Sequence, residues 1–137
     1  MSEHLTADVA VEKLLHNRMG SLEKALGADV LAYVGRVIDG VDGAFRDAIE
    51  SRKKKQKKLA IILDTPGGYI EVAERIVTTT RRHYAEVDFY IVDAAMSAGT
   101  VLVMSGDAIF MDYYSLLGPI DPQVQRPGGA GLIPALG

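Results

Sequence analysis

Apolar and polar positions along the chain alternate between two periods, and the changes of period mark out the elements. From Thr6 to about Leu26, the residues Val9, Leu14, Leu15, Met19, Leu22 and Leu26 return at roughly helical spacing, and Gly27 supplies a stop. Val30 to Ile38 is rich in β-branched and apolar residues and predicts a strand. Gly40-Val41-Asp42-Gly43 is turn chemistry. A second helix is predicted from Ala44 to about Gln56, with Phe45, Ala48 and Ile49 on one face. Leu59-Ala60-Ile61-Ile62-Leu63 is an unbroken apolar run, the pattern of a parallel strand buried on both faces. Thr65-Pro66-Gly67-Gly68 ends it, and a third helix follows from Ile70 to about Tyr84. Val87 to Val92 predicts another buried strand, Ser97 to about Met104 a helix of small residues, and Ala108 to Met111 a further strand.

Strand, helix, strand, helix, strand, helix, strand is the order of an α/β fold with a mainly parallel sheet and right-handed crossovers. From Gly118 onward the Gly-Pro, Asp-Pro and Pro-Gly-Gly steps predict an extended, irregular segment. The stretch Gly131-Leu132-Ile133-Pro134-Ala135-Leu136-Gly137 is apolar without a polar finish, so a partner or further chain is expected to cover it. The reading is one domain over residues 1–137: a helix over 6–26, a core over about 28–123 and an apolar Gly/Pro-rich tail over 118–137. It is expected to lack a C-terminal part and to form a homo-oligomer.

Composition narrows the function classes. At 137 residues and 48% apolar content the chain can bury a core without staples. It contains no cysteine, which excludes disulfides, thiolate metal sites and a thiol nucleophile. A net charge of −3 gives no global attraction to nucleic acid. No apolar run approaches the roughly 18 residues of a membrane span, and the N-terminus lacks a secretory pattern, so a cytoplasmic location is expected. No His, Asp and Glu have metal-ligand spacing and no phosphate loop is present, so neither metal nor cofactor is expected.

Two features fall at the carboxyl ends of successive predicted strands, the edge where α/β sheets collect ligand sites. In Asp93-Ala94-Ala95-Met96-Ser97-Ala98-Gly99-Thr100, a serine follows a buried strand through a small-residue turn and opens a helix. The small neighbours let the backbone turn sharply and expose the hydroxyl, in the logic of a nucleophile elbow, although position 95 is Ala rather than Gly. Free N–H donors at the helix start favour a developing negative charge. In Leu63-Asp64-Thr65-Pro66-Gly67-Gly68, two glycines permit close approach and let backbone N–H groups face a substrate oxygen. An oxyanion hole draws one donor from beside the nucleophile and one from a separate loop, and the Gly68 and Ala98 amides are candidates for that pair. Each feature alone reads more often as a plain turn or a helix cap, and it is their occurrence on consecutive strand–helix units that points to a shared site.

Together with Ile109-Phe110-Met111 and Ser115-Leu116-Leu117-Gly118-Pro119-Ile120-Asp121-Pro122-Gln123, these motifs resemble the serine dehydrogenase proteinase family. That family is related to signal peptide peptidase A, the stomatin-operon proteases and the Clp peptidase. The resemblance covers about Leu59 to Gln123. It implies a Clp/crotonase-like spiral of ββα units and a serine endopeptidase acting on polypeptides. It also implies Ser97 as nucleophile, the Gly68 and Ala98 amides as the oxyanion hole, and substrate contacts from Gly67, Tyr69, Gly99, Pro119 and Ile120.

The sequence departs from a complete site at the base. The segment after the fourth strand, where a Clp-type triad would carry histidine, has none, and His4, His16 and His83 are poorly placed. A Ser-Lys dyad would take its lysine from beyond the serine, yet all seven lysines precede the glycine loop. The base is therefore expected outside this chain. A catalytically incomplete peptide-binding or assembly module, and a crotonase-like acyl-CoA enzyme, are the alternatives. The basic run Arg52 to Lys58 and Arg81-Arg82-His83 read as solvated helix ends, and Asp121 as a turn residue.

Overall fold

In the computed structural model, the residues described are 6–120, 123–125, 128–129 and 131–134. Helix α1 (Ala7–Leu26) is opened by Thr6, whose side chain accepts the Val9 N–H, and closed by Gly27 at φ 59°. Strand β1 (Asp29–Val34) leads to α2 (Val41–Glu50), then β2 (Lys58–Thr65), α3 (Ile70–His83), β3 (Glu86–Ala95), α4 (Ala98–Met104), β4 (Ala108–Met111) and β5 (Leu116–Leu117). The sheet order is β1-β2-β3-β4, with β5 pairing β3 beyond the end of β4, and every pairing in it is parallel. A separate antiparallel ladder joins β6 (Gln123–Gln125) and β7 (Leu132–Pro134).

Alternation along the strands divides the core. Leu59, Ile61 and Leu63 of β2 and Val87, Phe89 and Ile91 of β3 face one side. There they meet Phe45 and Ile49 of α2, Val72, Ala73 and Ile76 of α3, and Ala98, Leu102 and Val103 of α4. The opposite face is smaller: Ala28, Val30 and Ala60 meet only Met19 and Leu26 at the end of α1, with Ile62 and Tyr90 beside them. Beyond that contact nothing among the described residues covers the second face, where Val34 is 76% and Val92 61% exposed.

Several boundaries differ from the sequence reading. The first strand ends at Val34, and Gly35 turns the chain so that Val37 forms an isolated bridge with Gly68. The second helix ends at Glu50 rather than near Gln56, so the basic run is a loop and not a helix end. Its first residue folds inward: Arg52 pairs with Glu23 (2.8 Å) and with buried Asp29 (3.2 Å), and Tyr84 donates its hydroxyl to Asp29 (2.7 Å). Burial, then Asp29, pushes the Tyr84 phenol well above its usual range. The third strand runs on to Ala95 instead of stopping at Val92. Between the pairs Leu63–Ile91 and Thr65–Ala95 it carries two more residues than β2. Ser115, buried, donates to the Ile91 carbonyl (2.7 Å) inside that irregularity. The stretch after Gly118, expected to be irregular, includes the β6–β7 ladder. Asp121 and the side chains of Leu132, Ile133 and Leu136 lie outside the described residues.

Candidate active site

The carboxyl ends of β2, β3 and β5 and the segment after β1 converge, and three backbone bonds tie them together. Met96 N–H donates to the Thr65 carbonyl (3.1 Å), Gly118 N–H to the Ala95 carbonyl (2.8 Å), and Val37 N–H to the Gly67 carbonyl (2.9 Å). The Thr100 hydroxyl lies 3.0 Å from the Ala95 carbonyl and 2.9 Å from that of Gly118, linking the start of α4 to the exit of β5.

Ser97 sits at the centre of this junction with φ 54° and ψ −122°, the only non-glycine residue of positive φ among the described residues. An L side chain in such a region costs on the order of 1–3 kcal/mol and persists only when its surroundings impose it. Here they do. A Cβ on Gly67 would stand 2.5 Å from the Met96 carbonyl oxygen and 2.8 Å from the Ser97 Cβ, so the glycine loop is pressed against the serine turn. The helix-cap reading of Ser97 fails, because its side chain makes no capping hydrogen bond to α4. The hydroxyl of this half-buried residue has no hydrogen-bond partner among the described residues and is left for other work.

Strain of this kind has a measurable sign. Ser97→Gly relieves the side-chain clash while adding the glycine entropy cost of roughly 0.5–1 kcal/mol. A net stabilisation of about 1 kcal/mol is expected, a rise of roughly 3–5 °C in melting temperature for a chain of this size. Ser97→Ala, which keeps the Cβ, should leave the melting temperature within about 1 °C of wild type. Differential scanning calorimetry of the two variants distinguishes a strained serine from a relaxed one.

The glycine loop that carries Gly68 packs against the turn that carries Ser97 and Ala98, since a Cβ on Gly67 would meet Met96 and Ser97. Gly67 and Tyr69 face the continuation of β1: Tyr69 N–H donates to the Val37 carbonyl (2.7 Å) and the Gly67 carbonyl accepts from Val37. In extended chain the intervening residue points its N–H the other way, so the Gly68 amide faces the β3 side, where Ser97 lies. Neither the Gly68 nor the Ala98 N–H has a backbone or side-chain acceptor among the described residues. Gly68 has no room for a side chain, since a Cβ there would run into the Val37 carbonyl. Two expected substrate contacts are buried instead. Gly67 lies against Met96 and Ser97, and Gly99 so close to Thr65 that a Cβ would strike its methyl group. Tyr69, Pro119 and Ile120 are exposed beside the junction.

Among the described residues no side chain hydrogen-bonds the Ser97 hydroxyl, so no base is in contact with it. His83 precedes β3, at the opposite end of a strand roughly 30 Å long, and contacts Glu50 at 3.3 Å. His16 is exposed on α1, and His4 lies outside the described residues. The lysines 53–58 also sit at the far ends of the strands. Hydrogen bonding to Glu86, then to Asp88, raises the Lys58 pKa to about 12, the wrong direction for a neutral amine. Among the described residues no group of His, Asp and Glu is placed to hold a metal, and no helix is long and apolar enough to cross a membrane.

A one-directional sheet whose strand ends carry a strained serine against a double-glycine loop defines an α/β protein of the Clp/crotonase type. The chain belongs to the family described as ClpP-like SDH-type serine proteinases, whose family model matches residues 18–136. Two uncharacterized proteins of Methanocaldococcus jannaschii are 34% identical over 82 residues and 33% identical over 75, covering 60% and 55% of this chain. The chain spans only 29% and 26% of their lengths. Among solved structures it is similar to the 1510-N membrane-bound stomatin-specific protease. A serine-to-alanine mutant of that protein gives a TM-score of 0.65 at 23% identity, over 77% of this chain and 53% of that one. A lysine-to-alanine mutant in complex with a substrate peptide gives 0.66 at 24%, over 77% and 50%. The ClpP catalytic domain of Plasmodium falciparum gives 0.52 at 11%, over 59% and 53%. These likenesses show the fold, and the family assignment makes the chain a member of a serine proteinase family.

Proposed function

We propose that the chain carries the nucleophile and oxyanion hole of a serine endopeptidase. The observation that supports this most is Ser97, held at φ 54° with its hydroxyl unpaired among the described residues, at a junction where the Gly68 and Ala98 amides have no acceptor among those residues. In the proposed reaction the Ser97 Oγ attacks the carbonyl carbon of a peptide bond and its proton passes to a base. The carbonyl oxygen becomes an oxyanion between the Gly68 and Ala98 N–H groups. Collapse expels the amine, which takes the proton, and water then hydrolyses the acyl-enzyme by the same steps. Exposed Tyr69, Pro119 and Ile120 offer apolar contacts to an unfolded polypeptide. A crotonase-like acyl-CoA reaction would use paired amides but gains nothing from a strained serine.

The base in this reading is a lysine that these 137 residues do not contain. The substitutions studied in the stomatin-specific protease fell on a serine and a lysine, the latter with a substrate peptide bound, which supports a Ser-Lys pairing here. A homo-oligomer is part of the same proposal. Parallel sheets are ordinarily covered on both faces, whereas this one leaves Val34, Val92 and Phe110 exposed on its second face, and α1 leaves Val11, Leu15 and Leu22 exposed. The test is intact-mass analysis and peptide mapping, after treatment with a fluorophosphonate, of a form extended past Gly137 that carries the proposed lysine. One adduct on the peptide containing Ser97 is expected, and a chain left unmodified, or modified elsewhere, overturns the reading.

A further inference from the structure

We infer that Thr65 is the positioning residue that aims both donors of the oxyanion hole, an inference that rests on the reading of Ser97 as nucleophile. Thr65 is the last residue of β2 and is wholly buried, 0% exposed, so its hydroxyl must be satisfied from inside the protein. It is satisfied at the loop: the Thr65 Oγ1 accepts the Gly67 N–H at 3.0 Å. That bond occupies the first glycine amide and fixes the peptide plane next to it. With Gly67 O and Tyr69 N–H both committed to Val37, the Gly68 N–H is the group of the loop left pointing at the serine side.

The same residue reaches the other donor by two further contacts. Its carbonyl accepts the Met96 N–H at 3.1 Å, immediately before Ser97. Its Cγ2 methyl closes on Gly99, immediately after Ala98, so tightly that a Cβ at position 99 would overlap it. The Ala98 amide is thus bracketed by two contacts to Thr65, and the Gly68 amide follows the Gly67 N–H that the Thr65 hydroxyl holds. Each side-chain branch has one duty: the hydroxyl sets the Gly68 side and the methyl sets the Ala98 side. No other β-branched hydroxyl residue at a strand end does both. Thr100 fastens the start of α4 to Gly118, not to the glycine loop.

Substitutions separate the two branches. Thr65→Val preserves shape and the methyl against Gly99 but leaves the Gly67 N–H without its acceptor. Thr65→Ser preserves the acceptor. Removing an oxyanion donor costs about 10²–10³ in rate, so misaiming one should cost less. The fluorophosphonate labelling rate of Ser97 is expected to fall about 10–100-fold in Thr65→Val and to return to within about threefold of wild type in Thr65→Ser. With an activated ester the loss should fall on kcat, KM staying within about twofold. Amide hydrogen exchange gives a readout independent of chemistry: the Gly67 N–H should be protected in wild type and Thr65→Ser and exchange freely in Thr65→Val. If Thr65→Val does not fold, Thr65→Ala against Thr65→Ser makes the same comparison. Wild-type labelling with an equal rate in folded Thr65→Val overturns this inference alone. No labelling of wild type at Ser97 overturns the nucleophile and, with it, any part for Thr65 in catalysis.

Discussion

Fluorophosphonate labelling is expected to vanish in Ser97→Ala and to fall by at least about 10²-fold in Gly68→Ala, the scale of losing an oxyanion donor. The first loss follows from removing the attacking oxygen. The second is steric. A Cβ at Gly68 would overlap the Val37 carbonyl oxygen and stand 2.6 Å from its carbon. That carbonyl cannot simply retreat, because it accepts the Tyr69 N–H at 2.7 Å and Val37 itself is wholly buried. The glycine loop must shift, and the Gly68 N–H moves with it while Ser97 stays in place. Gly43→Ala is the control: nothing stands within 4 Å of a Cβ there, in α2, and its labelling should be unchanged. Labelling of Gly68→Ala at the wild-type rate would remove the Gly68 amide from the site.

How much of this was legible in the sequence depended on the range of the interaction that decided each point. The alternation of strands and helices is local, and every predicted helix and strand from Thr6 to Met111 exists, although Val41-Asp42-Gly43, read as a turn, is the first turn of α2. Boundaries set by distant partners were not legible. After Ile49 no apolar residue continues the face of α2, but Arg52 and the lysines read as more helix. What turns the chain there is Arg52 reaching Glu23 and Asp29, 29 and 23 residues away. The extension of β3 to Ala95 likewise depends on Ser115 inserting its hydroxyl at Ile91, 24 residues earlier.

The site divides in the same way. That Gly68 and Ser97 share an edge follows from consecutive strand–helix units, which the motifs themselves announce. Thr65 was passed over because its duty is split between a bond two residues away and a contact with Gly99 across the sheet. The only sequence signal was a threonine before Pro-Gly, a pattern that also makes ordinary turns. The family resemblance implies substrate contacts from Gly67 and Gly99, and both are buried. In the structure they serve close packing of one loop against another, which sequence cannot distinguish from an open surface.

The 137 residues alone are expected to hydrolyse an activated ester slowly and a peptide not at all. A serine hydroxyl is protonated at neutral pH, and peptide cleavage needs a base within about 2.6–3.2 Å. His83 and the lysines that lead into β2 fail on position or charge. His83 is a strand length away, the lysines 53–58 lie at the same far end, and Lys58 is held protonated by Glu86 and Asp88. What remains in the proposed site is a pair of oxyanion donors without a proton acceptor, and such remnants still accelerate acyl transfer about 10³–10⁴-fold over water. That suffices for an ester with a good leaving group, which needs no protonation, but an amine leaves only when protonated. The relatives in this family are longer than this chain, and the proposal places the missing lysine in such additional sequence. Unfolded casein incubated with the 137-residue chain and with a version extended past Gly137 provides the comparison. Fragments are expected from the extended protein only, abolished there by Ser97→Ala. Equal, robust proteolysis by both forms would show that a base is already present within these residues and that the Ser-Lys assignment is wrong.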